Sequence, residues 1–130
     1  RAGTYGHQLV HAMHRAIRSL AENGLNILVD HVLVEPGWVI DCADQLGDLN
    51  AYLIGLKCDL EILEIREKHR KDRTLGQARA QFTKVHEHIS YDFWVDSGWF
   101  SAEENLTQIQ GFLNSRPQPT ALKHLRSRSD

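Results

Sequence analysis

Ile27-Leu28-Val29-Asp30-His31-Val32-Leu33-Val34 is the stretch whose reading decides the fold. It is apolar on both parities except at its middle. A strand covered on one face alternates, whereas a strand buried on both faces does not. The run therefore predicts a strand of a parallel sheet with helices on both sides, ended by Pro36-Gly37. Upstream, residues 7–22 place Leu9, Met13, Ala16 and Leu20 on one helical face, and Asn23-Gly24 supplies the stop. Downstream, Val39, Cys42, Ala43 and Leu46 give a short second helix.

The same alternation continues outward. Ala51 to Lys57 is a second short apolar run, and Asp59 is placed to cap a helix from Leu60 to about His69. Thr74-Leu75-Gly76 interrupts before a helix carrying Ala78, Phe82 and Val85. Tyr91 to Asp96, aromatic and β-branched, predicts a third strand. Ser101 and Glu104 form a capping box for a helix with Leu106, Ile109 and Leu113 on one face. Residues 115–130 show no period and read as a disordered tail, leaving 1–114 as the folded part. The expectation is an α/β fold, a parallel sheet with flanking helices. Three strands make a small sheet for that class, and the chain opens on a helix, so strands are expected upstream.

Bulk properties narrow the function. At 130 residues the chain suits one domain, and a formal net charge of −2 gives no general pull toward nucleic acid or anionic membrane. No stretch approaches the ~20 apolar residues of a membrane span. Cys42 and Cys58 follow no metal-ligand spacing and read as free thiols, which favours a reducing, cytoplasmic setting. Neither nucleic acid nor membrane is expected as a partner.

Three groups of residues could carry chemistry. Asp30 follows apolar strand residues and so falls near a carboxyl sheet edge, where open α/β proteins bind ligands. An aspartate there can help hold Mg²⁺, or it can simply cap a backbone group. Arg66, Arg70 and Arg73 stand at i, i+4 and i+7 if their helix continues. Three guanidinium groups in line can clamp a polyphosphate, though composition alone describes a solvated face with Glu67 and Asp72 as partners. His7, His11 and His14 recur at the same spacing opposite the apolar stripe, with Arg18 continuing the row. No carboxylate or cysteine completes a metal set nearby in the sequence. His86 and His88 are placed to favour a helix C-terminus. No phosphate loop ending in Gly-Lys-Ser or Gly-Lys-Thr, no Gly-x-Ser-x-Gly elbow and no His-Glu-x-x-His motif is present.

Several segments together resemble the chloramphenicol phosphotransferase-like family. They are His14-Arg15-Ala16-Ile17, Ile27 to Leu33, Cys58-Asp59-Leu60-Glu61, Arg66-Glu67, Arg70-Lys71-Asp72-Arg73, Val85-His86-Glu87, Tyr91-Asp92 and Val95-Asp96-Ser97, in order and spacing, over residues 6 to about 113. The resemblance implies a P-loop kinase that uses ATP and Mg²⁺ to phosphorylate a small-molecule hydroxyl. The named member inactivates an antibiotic, chloramphenicol, at its primary hydroxyl. Family strands run 2-3-1-4-5, so those here would be the third, fourth and fifth. By the same resemblance Asp30 is the metal-serving strand-end aspartate. Arg70 and Arg73 are the catalytic, nucleotide-binding pair of the lid over the ATP phosphates. Arg66 is a nucleotide-site arginine just before that lid. His31 replaces a second acid and falls on the substrate side. The family's phosphate loop and general-base aspartate lie on its first two strands, upstream of residue 1, so this chain is expected to be the C-terminal part of such a kinase, inactive alone. A metabolic kinase with another acceptor, or a non-catalytic module using the basic 66–73 face, remains the alternative.

Overall fold

The computed structural model describes residues 3–70, 72, 74–87 and 89–127. Helix α1 spans Thr4–Glu22 and stops where Gly24 turns into positive φ, a conformation that suits a residue without Cβ. Helix α2, Pro36–Leu46, starts with proline in its first turn, where no helical N–H is lost. Strand β1 is Ile54–Lys57, and α3 is Leu60–His69. Helix α4 is Gln77–Phe82, β2 is Phe93–Asp96, and α5 is Ala102–Asn114. A last helix, α6, is Ala121–Ser127. Both halves of the Ser101–Glu104 capping box are made.

The sheet is a parallel pair, Ile54 beside Phe93 through Lys57 beside Asp96. The fold is α/β with helices flanking a parallel sheet, as the alternation predicts. Gly55 is the residue that lets this pair close. A Cβ there would come within 2.5 Å of the Trp94 ring lying across from it. The core gathers Leu33, Trp38, Val39, Cys42, Ala43, Leu46, Ile89, Leu122 and Leu125. Among the described residues no helix is long and apolar enough to cross a membrane.

Three expectations are corrected. The run 27–34 is not a strand, so the sheet has two strands among the described residues rather than three. A strand exists only through its ladder, and no described segment lies beside 25–34 to make one. The segment has no regular secondary structure and is exposed, Leu28 to 99 %, until Leu33 and Val34 turn into the core. The tail at 115–130 is also not featureless. Ala121, Leu122 and Leu125 bury one face of α6 against α2. Asp92 fixes its start by accepting from the backbone N–H groups of Thr120 and Ala121 at 2.8 and 3.0 Å.

The third correction concerns α1. It docks on α2 through its polar row, with Val10 and Ile17 beside it, while Leu9 and Leu20 of the apolar stripe stay exposed. Specific polar pairs decide that orientation. Arg18 makes a two-pronged contact with Asp48 at 2.7 and 2.9 Å and donates to the Gln45 carbonyl at 2.6 Å.

Candidate functional site

The carboxyl ends of β1 and β2 lie side by side, and Ser97 N–H donates to the Lys57 carbonyl just beyond them. Helix α3 leaves β1 at this edge and brings Arg66 back over it. Arg66 donates to the Ser97 carbonyl at 2.6 Å and to its hydroxyl at 3.2 Å, with Cys58 Sγ 3.7 Å away. Asp96 folds onto the N–H groups of Gly98 and Trp99, shaping the turn that follows. One of the sequence-predicted arginines therefore sits at the edge where open α/β sheets take ligands.

The helical line that would join Arg66 to Arg70 is not formed. Helix α3 ends at His69, and Arg70 is already extended. The cause is Glu67, which is buried and accepts from Gly76 N–H at 2.8 Å and Ala78 N–H at 2.7 Å. Those N–H groups open α4 and have no partner within it. Satisfying them with Glu67 brings the start of α4 back against α3. Arg79 closes the same return by donating to Glu64 at 2.7 Å. Arg70 is exposed and donates to Asp72 through two nitrogens, at 3.2 and 3.0 Å, which raises its pKa further. Arg73, like His88, lies outside the described residues. His86 does not end a helix. It packs in a turn against Tyr91 and Trp94, and burial lowers its pKa.

Asp30 and His31 lie on the irregular segment between α1 and α2, where His31 meets His14 and Trp38. Asp30 is exposed and is not at the end of a strand. No hydrogen bond or ion pair among the described residues joins it to Arg66 or Arg70. Among the described residues no three His, Cys, Asp or Glu side chains gather to hold a metal by themselves.

His31 belongs to a polar chain that spacing could not reveal. His14 is 0 % exposed, and its Nδ1 lies 2.6 Å from Asp41 Oδ2. His14 Nε2 lies 3.0 Å from His31 Nε2. His11 Nδ1 is 3.2 Å from the other Asp41 oxygen, and Trp38 donates to His7 Nδ1 at 3.0 Å. The His31 ring stacks on Trp38 at 6.3 Å between centroids. Burial, then His14, lowers the His31 pKa, with Asp30 opposing. The carboxylate missing from the histidine row comes from α2, 27 positions after His14. Nothing in local spacing points to it.

Cys42 and Cys58 are free thiols. Burial pushes the Cys42 thiol up to about 11, so it is inert.

A family model described as chloramphenicol phosphotransferase-like protein matches residues 3–114. Curated relatives from two strains of Mycobacterium tuberculosis, each named "Putative O-phosphotransferase", are 28 % identical over 119 residues. The match covers 92 % of this chain and 53 % of each relative, so the chain spans about half the length of the curated relatives it matches.

Proposed function

Because the chain belongs to the chloramphenicol phosphotransferase-like protein family, we propose that it is part of an enzyme that transfers the γ-phosphoryl group of ATP to a hydroxyl of a small molecule. The family match over 3–114 is the observation that carries this reading. The position of Arg66 at the carboxyl edge of a parallel sheet agrees with it.

The roles are those that the family resemblance implies for these residues. Arg66, Arg70 and Arg73 would bind the nucleotide phosphates, Arg70 and Arg73 acting on the transferring group. Charge accumulates on that group in the transition state, and a planar guanidinium donates to its oxygens in pairs. For this, Arg70 exchanges Asp72 for phosphate, a small exchange because exposed ion pairs are worth little. Asp30 would be the residue offering a carboxylate to Mg²⁺, and the ion would supply positive charge to the nucleotide phosphates. His31 would face the acceptor.

The test uses the protein at the full length of its relatives, with ATP, Mg²⁺ and hydroxylated acceptors beginning with chloramphenicol. Arg70→Ala is expected to lower kcat on the order of 10³-fold while leaving Tm unchanged. An unaltered kcat returns Arg70 to an exposed ion pair with no part in the reaction.

A further inference from the structure

We propose that Ser97 is a positioning residue that holds the Arg66 guanidinium by its tip, so that the free side edge takes a phosphate of the nucleotide. This rests on the phosphotransferase reading and adds to it the residue that orients Arg66 and the edge that meets the phosphate.

The sheet fixes Ser97 first. Lys57 pairs with Asp96, and one residue on, Ser97 donates its N–H to the Lys57 carbonyl at 2.9 Å. Its hydroxyl donates to the same carbonyl at 3.4 Å, which leaves the hydroxyl oxygen to accept. Arg66 supplies the donor. Nη1 reaches that oxygen at 3.2 Å while Nη2 reaches the Ser97 carbonyl at 2.6 Å. Nη1 also approaches Cys58 Sγ at 3.7 Å. Both nitrogens at the tip of the fork are thus engaged by residues that directly follow β1 and β2.

The side edge of the fork remains. Arg66 is exposed, and its Nε–H and second Nη2 hydrogen have no hydrogen-bond partner among the described residues. These two N–H groups are parallel and match two oxygens of one anion. Arg70 uses the same pair of nitrogens on the two oxygens of Asp72. Arg15, Arg18, Arg70 and Arg79 each have a carboxylate partner. Arg66 has none among the described residues and is held by a carbonyl, a hydroxyl and a thiol. Its charge is therefore not cancelled locally. A guanidinium already fixed in place loses little side-chain freedom when a phosphate arrives. The edge on which it stands, the carboxyl end of a parallel sheet, is where open α/β proteins take ligands.

The experiment uses the protein at the full length of its relatives, with ATP and Mg²⁺. Ser97→Ala keeps the carbonyl contact but lets the fork pivot about it. The ATP Kd, read by titration calorimetry, is expected to rise about tenfold, the worth of one hydrogen bond to a charged group. Ser97→Thr keeps the hydroxyl and is expected to bind ATP as the wild type does. Arg66→Lys has no fork to orient, so in that background Ser97→Ala is expected to change Kd no further. In ¹⁵N spectra the Arg66 Nε–H signal, identified by its loss in Arg66→Lys, is expected to shift on addition of ATP, and to shift less in Ser97→Ala. An unchanged Kd in Ser97→Ala, an equal rise in both Arg66 backgrounds, or an Nε–H signal that ATP leaves unmoved overturns the positioning role while ATP binding stands. ATP bound as expected but transferred to none of a panel of hydroxylated acceptors overturns the phosphotransferase reading and leaves the contact in place. A wild type that binds no ATP overturns both.

Discussion

Arg18 holds the Asp48 carboxylate by hydrogen bonding, lowering its pKa from 3.8 to about 2. A depressed carboxylate contributes stability above its ordinary pKa and loses it as pH falls through the folded value. The α1–α2 junction is therefore expected to loosen between pH ~4 and ~2, by a modest amount because the pair is largely exposed. The Asp48 carboxyl ¹³C shift should titrate near 2 in the wild type and near 4 in Arg18→Ala. A wild-type midpoint near 4 would contradict the contact. Glu67 lies at the buried extreme of the same scale. Glu67→Ala leaves the N–H groups of Gly76 and Ala78 without their acceptor. A loss of roughly 1–3 kcal/mol in denaturant unfolding is expected, while Glu67→Gln, which keeps an acceptor, loses less. Equal losses would mean that the role is packing alone.

Helix α6 carries the sharpest prediction for a single element. Leu122 is buried against α2, so Leu122→Ala should destabilise by about 2–5 kcal/mol. A loss under about 0.5 kcal/mol would place α6 outside the cooperative unit. Its signal was present in the sequence, as Ala121, Leu122 and Leu125 at i, i+1 and i+4 after Pro119-Thr120. Seven helical residues are too few to show a period, and the flanking Ser and Arg hid them. Elements with local determinants were legible. Helix α3 has the bounds its pattern predicts, and the α5 capping box is made by neighbours in sequence. Elements set by distant partners were not. The end of α3 depends on Glu67 meeting Gly76 and Ala78, and the face α1 buries depends on Asp41 and Asp48. The candidate site divides the same way. Arg66 and His31 were visible as residues, but Ser97 and the Asp41–His14 chain that hold them were visible only in space.

At the scale of the molecule, an apolar surface stands open. Leu9 and Leu20 on α1 and Leu25, Ile27, Leu28, Val29 and Val32 on the segment that follows it are all exposed. Amide exchange in the 130-residue chain should be fast at 27–32, which makes no ladder, and slow at Leu56 and Val95 in the paired strands. Protection at 27–32 would show that the run has found a partner. The proposed chemistry requires a hydroxyl to meet the ATP γ-phosphate with water excluded. The most direct measurement is ³¹P NMR of the full-length protein with ATP, Mg²⁺ and hydroxylated acceptors beginning with chloramphenicol. The account predicts ADP and a phosphate monoester of the acceptor appearing together in equal amounts. ATP that stays intact with every acceptor, or that yields only ADP and inorganic phosphate, would contradict it.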